Sequence, residues 1–481
     1  MISSFAVRAH HVGASVLTMA VLAACAPLGP NYQRPEPLSA TTTGGTAREL
    51  PPQYKESTGL ANMVFNPALA GPVSARDWWK PFADPMLDAL IVQVAQANQN
   101  VAQAEAKYRQ ATATTQQTRA ARLPSLGTNA SATRSSQAPN GLRMTSQSLS
   151  AGLSASWELD LWGRVRRSIE SGDAGAAASA SDLAAMTLSL QAQLATNYGA
   201  LRALDVQRGL LEDSVAAYQR SLQLTRNRYE AGVVAKSDVA QAQSQLLSSQ
   251  AQLIDAGAQR ATLEHAIAVL TGRPPGELNI TRVEGYPLTL PPVAASMPSE
   301  LLQRRPDIAA AERRMAAANA QIGVAVAAYY PTISLSGSLG QRGTTVADLL
   351  SLPNRFWSVG PALALSLFDG GARDASNAQA LAAYDQTVAA YRQTILTAIQ
   401  EVEDNLSTLR ILAEALVVQQ QAVRAAQEAL TISLNQYKAG TVSFLNVATS
   451  QAAEYSARRA ELGLRGEQFS ASVALIKALG G

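Results

Sequence analysis

Two very long stretches of this chain contain no proline, and each is interrupted once by nearly the same residues. No proline occurs between Pro139 and Pro274, and none follows LFDGGAR, which starts at Leu367. Inside the first run lies YEAGVVAKSDVAQAQ, starting at Tyr229; inside the second lies YKAGTVSFLNVATSQ, starting at Tyr437. Tyr229/Tyr437, Ala231/Ala439, Gly232/Gly440, Val234/Val442, Val239/Val447, Ala240/Ala448 and Gln243/Gln451 coincide. An internal repeat of this kind constrains the architecture before any single residue does.

The first run carries apolar or small positions at Leu211, Val215, Tyr218, Leu222, Thr225 and Tyr229, in heptad steps of four and three. It predicts a helix from about 164 to 231, roughly 100 Å long at ~1.5 Å per residue. Gly232 ends it, as a left-handed C-terminal glycine commonly does. A second helix returns from about Ser237 to Thr271 and stops at GRPPG. The repeated residues are therefore the tip of a long helical hairpin. A helical pattern also follows WWKPFADPMLDALI at 78–91 and ends near Arg122, closed by Pro124. In the second half, LLQRRPDIAAAERRM opens the matching helix with Pro306 in its first turn, where a missing N–H costs little. It ends at Tyr330–Pro331, the counterpart of Leu123–Pro124.

Between these helices the period falls to two. Leu149, Ala151, Leu153, Ala155, Trp157 and Leu159 alternate with small or polar residues, Ser125 to Thr133 is a weaker partner, and QAPNG supplies turn chemistry. Ile333, Leu335 and Leu339, then Trp357, Val359, Leu363, Leu365 and Leu367, give a second hairpin. Strands of about ten residues cross a bilayer when tilted. Each half thus reads helix, two strands, long helix, tip, helix.

The formal charge of +3 gives no reason to expect nucleic acid as a partner. Aromatics are only 5%, which suits helices packed closely through small side chains. Of three histidines, His10 and His11 precede the expected processing site, leaving His265; Cys25 is the only cysteine. Histidine triads, multi-histidine metal sites, internal disulfides and thiolate clusters are excluded on those counts, and no cofactor is expected. Val16 to Ala24 is apolar but too short to span a bilayer. It ends LAAC, Leu22 to Cys25, which looks like a lipobox whose cysteine takes a diacylglyceryl and an N-acyl lipid. No later segment offers 18 consecutive apolar residues, so any crossing of the membrane must be as a closed β-barrel. Four strands cannot close one alone, whereas three copies supply twelve. A heptad also suits a soluble coiled-coil lipoprotein, but strand pairs at matching places in both halves favour a conduit.

The chain resembles the TolC-type outer-membrane efflux proteins, in their lipoprotein (NodT-like) branch, from Cys25 to its C-terminus. LAAC, WWKPFADPMLDALI, WELDLWGRVR at 157–166, LLQRRPDIAAAE at 301–312, LFDGG at 367–371 and the two tips carry the likeness. The resemblance implies a mainly α fold with a membrane β-barrel: a homotrimer with a twelve-helix tunnel through the periplasm and a twelve-stranded barrel. An equatorial collar is implied from segments near 60–85, 273–300 and the C-terminus. The organisation expected is a signal peptide at 1–24, a lipid-anchored leader at 25–76, a first repeat at 77–273, an equatorial linker at 274–300, and a second repeat at 301–481. Expected partners are a periplasmic adaptor, an inner-membrane RND-type transporter and outer-membrane lipid. Ala26, rather than aspartate, follows the cysteine and implies the outer membrane.

The work expected is conduction and gating, with no catalysis. By the resemblance, Asp238 and Tyr437 match positions linking neighbouring helices in a closed periplasmic gate. Asn446 and Thr449 match positions where relatives frequently place constriction carboxylates; here both are neutral and supply no doubly acidic ring. Val442 likewise lacks the arginine of some relatives. Asp238 also suits a capping box with Gln241, and both roles stay open. Gly232, Val233, Gly440 and Thr441 are the expected adaptor-contact tips. Glu158 with Asp160, and Glu401, Glu403 and Asp404, are carboxylate groups of the kind that hydrolases use, but a strand end and a long helix face suit them better.

Overall fold

The computed structural model describes residues 27–36, 50–56, 77–137, 144–291 and 298–481. The export signal, Cys25 and much of the 25–76 leader lie outside the described residues, as do 292–297 of the linker. In order the elements are α1 (Pro85–Ala97), α2 (Gln99–Ala120), β1 (Ser125–Gln137), β2 (Met144–Leu159), α3 (Arg164–Glu230) and α4 (Lys236–Leu270). The second half adds α5 (Leu301–Arg304), α6 (Pro306–Ala327), β3 (Thr332–Gly343), β4 (Arg355–Ala364), α7 (Ala372–Ala439) and α8 (Phe444–Ala478). The duplicated order is thus present, with two helices of 67 and 68 residues. No helix among the described residues is long and apolar enough to cross a membrane.

The expected first helix is interrupted at Asn98. Its buried side chain accepts from the N–H groups of Asn100 and Val101, capping α2, and donates to the Leu270 carbonyl at 2.8 Å. The matching helix of the second half is also split, at Arg305, because a residue before proline is driven to extended backbone. Arg305 is buried there and held by Asp307 at 2.7 Å, Glu401 at 2.7 Å and the Ala478 carbonyl at 2.9 Å. β2 begins earlier than its alternation indicates, and β4 stops at Ala364, leaving Leu365 and Leu367 beyond the ladder.

The chain divides into two compact units. The first comprises the described residues within 1–36, 106–180 and 310–392, and holds the sheet. Its strands run in the order β1-β2-β3-β4, all antiparallel. The segment 27–36 is clasped onto the helices of this unit. Arg167 donates to the carbonyls of Leu28 and Gly29 and to Asn31, Asn319 donates to the Pro30 carbonyl, and Arg34 reaches Glu312 at 3.1 Å.

The second unit comprises the described residues within 37–105, 181–309 and 393–481. One of its cores is aromatic: Trp78 stands edge-on to Trp79 and Phe82, and Phe82 lies 5.0 Å from Phe469. Gly199 on α3 leaves room for the Phe469 ring, since a Cβ there would stand 2.2 Å from it. The expected linker is well fastened where described. Arg202 and Arg260 donate to the carbonyls of Thr281 and Ile280, and Arg282 grips Glu212 with two bonds of 2.8 Å. Asp205, fully buried, is paired with both Arg202 and Arg260.

Candidate functional site: the sheet faces and the hairpin tips

Strand register sorts the sheet residues into two chemically different faces, because neighbours across a ladder point the same way. Leu126 pairs with Ala155, Ala155 with Gly337, and Gly337 with Val359; Leu153 pairs with Leu339, and Leu339 with Trp357. That face is apolar and exposed, with Leu126 at 83% and Trp357 at 72%. A water-soluble sheet would bury such a face, so its exposure calls for a lipid environment or a partner. The opposite face is a ladder of hydroxyls: Ser131 to Ser150 at 2.7 Å, Ser135 to Ser146 at 2.8 Å, and Ser338 to Ser358 at 2.7 Å. Apolar-out, polar-in alternation of this kind is the pattern of a membrane barrel wall. Among the described residues, β1 and β4 each pair on one side only.

The tips are built by one motif used repeatedly. Gly232 (φ 71°) donates to the Tyr229 carbonyl and Val233 to that of Arg228; Gly440 (φ 80°) donates to Tyr437 and Thr441 to Gln436. These paired bonds satisfy the last carbonyls of α3 and α7, and a positive φ favours glycine at the turn. Gly232, Val233, Gly440 and Thr441 are all exposed.

The matched tyrosines have different surroundings. Tyr229 is 43% exposed, whereas Tyr437 is 2% exposed. Tyr437 lies in a cluster with Tyr218 and Leu222 of α3, Ala242 and Leu246 of α4, and Phe444, Val447 and Ala448 of α8. Its hydroxyl meets that of Thr225 at 3.1 Å, its ring stands edge-on to Phe444 at 5.7 Å, and the Arg228 guanidinium lies 4.6 Å above it. Arg228 also donates to the Tyr437 carbonyl. Tyr437 therefore ties α7 to α3 within one chain. Thr225 lies on the heptad seam read from the sequence; Arg228 has no such signal, being a charge one position from that seam.

Asp238 and Asn446 both occupy the third position of their helices, with backbone N–H groups bonded to Ala235 and Ser443. Neither α4 nor α8 has a side-chain cap, so Asp238 does not act as the N-cap of a capping box: Ala235 takes that place, with extended backbone. The half-buried Asp238 carboxylate has no side-chain hydrogen bond or ion pair among the described residues and sits in the first turn, where negative charge complements the helix dipole. Asn446 and Thr449 are exposed; the Thr449 hydroxyl donates back to the Leu445 and Asn446 carbonyls.

The other carboxylates have structural partners. Glu158 takes two bonds from Arg164, at 2.9 and 2.6 Å. Asp160 accepts from the N–H groups of Val165 and Arg166 and so caps α3. Glu403 accepts from the N–H groups of Lys55 and Glu56, and Glu401 holds Arg305. No cluster able to hold a metal ion occurs among the described residues.

A family model described as outer membrane efflux protein matches residues 90–273 and 297–481. The pyoverdine export outer membrane protein OpmQ of Pseudomonas aeruginosa is 34% identical over 418 residues, covering 84% of this chain and 87% of its own. The toluene efflux pump outer membrane protein TtgF of Pseudomonas putida is 30% identical over 480 residues, covering 98% and 97%. Among solved structures, the outer-membrane channel OprN aligns with a TM-score of 0.81 at 32% identity, covering 95% of this chain and 99% of that one.

Proposed function

Since this chain belongs to the outer membrane efflux protein family, we propose that three copies close into one conduit, fed by a periplasmic adaptor and an inner-membrane pump. The protein is an outer-membrane efflux channel component, mainly helical with four strands. The observation that carries the trimer is the two-faced sheet with one free edge on β1 and one on β4. An open edge in lipid leaves backbone groups unpaired, and joining β4 of one copy to β1 of the next removes every edge at once. Cys25 carries the lipid anchor in this reading, and transport is passive.

The hairpin tips form the gate. Tyr437, locked against α3 by Thr225 and Arg228, holds each subunit's tip closed, and Asp238, with no partner of its own among the described residues, reaches a neighbouring copy. Asn446 and Thr449 line the constriction as neutral groups, and Gly232, Val233, Gly440 and Thr441 meet the adaptor. The test joins mass to conductance. Detergent-extracted protein should contain three chains per particle, and Asp238→Ala should raise ion leakage through channels in planar bilayers. A stable monomer with no conductance overturns the conduit; unchanged leakage overturns the role of Asp238.

A further inference from the structure

The hydroxyl-bearing face of the sheet is nearly free of charge, and its two exceptions differ. Among its described residues, only Glu158 and Arg342 are ionisable; the rest are serine, threonine, glycine, alanine, asparagine or glutamine, with Met144 and Phe356. Glu158 lies where the strands join the helices, and Arg164 neutralises it with two bonds. Arg342 lies at the other end of β3, beside the β3–β4 connection, and has no ion pair among the described residues. It is instead held by an aromatic ring: its guanidinium stands 5.3 Å from the centre of Phe356. Gly340, the register partner of Phe356, makes the seat, since a Cβ there would stand 2.9 Å from the tip of that ring.

The carboxylate nearest this end along the chain is on the far side. Gly343 points oppositely to Arg342, and a Cβ on Gly343 would stand 2.2 Å from the Asp348 side chain. Asp348 is occupied in closing its own loop, accepting from the N–H groups of Thr344 and Thr345. Arg355 sits at the same height as Arg342 but on the apolar face, paired in register with Gln341.

We propose that Arg342, seated on Phe356, is the charge that sets ion preference in the barrel lumen, forming a cationic collar at its outer mouth that favours anionic solutes. This rests on the trimer, in which three copies face one lumen. Among the described residues of this face the one carboxylate, Glu158, is held by Arg164 at the far end, so none compensates the collar, and rings of arginine are a recognised basis of anion preference in pores. The cation–π contact holds the guanidinium over the ring while leaving its N–H groups open to passing anions.

Reversal potentials of channels in planar bilayers under a KCl gradient test this. Near about 0.1 M salt, where the screening length is ~10 Å, Arg342→Gln should lower the chloride-to-potassium permeability ratio by about twofold or more; near ~1 M, where it is ~3 Å, the difference should shrink. Arg342→Lys should retain the preference and Arg342→Glu should reverse it. Arg355→Gln, which removes equal charge at equal height on the lipid face, should leave it unchanged. Equal ratios for the unmodified channel and Arg342→Gln, or an equal shift from Arg355→Gln, overturn the proposal. The unmodified channel gives a second readout independent of mutant assembly: ferricyanide added at the loop side should reduce current, and hexaamminecobalt should not. The reverse pattern overturns the collar. Absence of any conductance in the unmodified protein would instead strike at the conduit itself.

Discussion

The Asp84 carboxylate accepts four hydrogen bonds with two oxygens. Oδ1 takes the N–H groups of Met86 and Leu87 at 2.8 and 3.1 Å, capping α1, and Oδ2 takes the hydroxyls of Tyr198 and Tyr286 at 2.6 and 2.8 Å. Burial alone pushes this carboxyl up, but the two phenols and the two N–H groups outweigh it and hold it below the usual range. Burial, with the Asp84 acceptor, pushes both phenols well above their ordinary value, so they stay protonated as donors. The sign of the pH dependence follows. The unfolded chain binds the Asp84 proton more readily than the folded one, so this stabilisation is complete above the unfolded value near ~4 and is lost as pH falls through the lower folded value. Asp84→Ala should cost about 2 kcal/mol, combining a lost cap with two phenols left without an acceptor. Thermal midpoints in detergent across acid pH check this. The variant should melt lower at neutral pH, and its deficit should narrow as the unmodified protein is acidified. A constant deficit would mean that the charge on Asp84 is irrelevant.

Four of the helices end in the same pair of bonds, and the space around each closing glycine makes the four unequal. Gly272 and Gly480 repeat at the ends of α4 and α8 what Gly232 and Gly440 do at the tips. A Cβ on Gly232 would meet nothing within 4 Å, whereas one on Gly272 would stand 2.2 Å from the Ala97 carbonyl oxygen. Gly232→Ala should therefore cost only the positive-φ penalty of about 1 kcal/mol, and Gly272→Ala should cost that plus the displacement of α1. Apparent melting midpoints of the two variants decide it, and equal losses would show that the α1 packing yields freely. These helix boundaries were legible in the sequence because glycine and proline act locally: α3 and α4 begin and end within two residues of where the pattern puts them. The break at Asn98 was not, since it depends on a buried capping amide bonded to the end of α4; the break at Arg305 follows from Pro306, which drives the preceding residue to extended backbone, although the apolar pattern runs straight through it. The tip was legible as a turn and illegible as a lock. Tyr229 and Tyr437 match in sequence, yet only Tyr437 faces Thr225 and Phe444, and that asymmetry is a product of tertiary packing.

Each half of the duplicated chain contributes one hairpin to a single sheet, so duplication explains four strands and stops short of a closed barrel. Ten-residue strands such as β4, tilted ~40°, rise about 25 Å, enough to cross the apolar layer of an outer membrane. Closure then has to come from other copies, and geometry gives a decisive test. Strands lie ~4.8 Å apart, so β1 and β4 of one chain, separated by three such steps, stand about 14 Å apart across the sheet. A disulfide requires Cα atoms within ~7 Å, so no pair of cysteines on these two edges can join within a chain. Cys25 is the only native cysteine, and in this reading its sulfur carries lipid. Replacing Thr128 of β1 with cysteine, and scanning a second cysteine along β4 from Phe356 to Gly360, should give an oxidised ladder ending at three chains on a denaturing gel. The strongest cross-linking should recur at alternate β4 positions, because only one face of that strand matches the side of Thr128. Monomer at every position would show that β1 and β4 do not meet between copies. A ladder running past three chains would mean an open ribbon, leaving the lipid-facing edge problem unsolved.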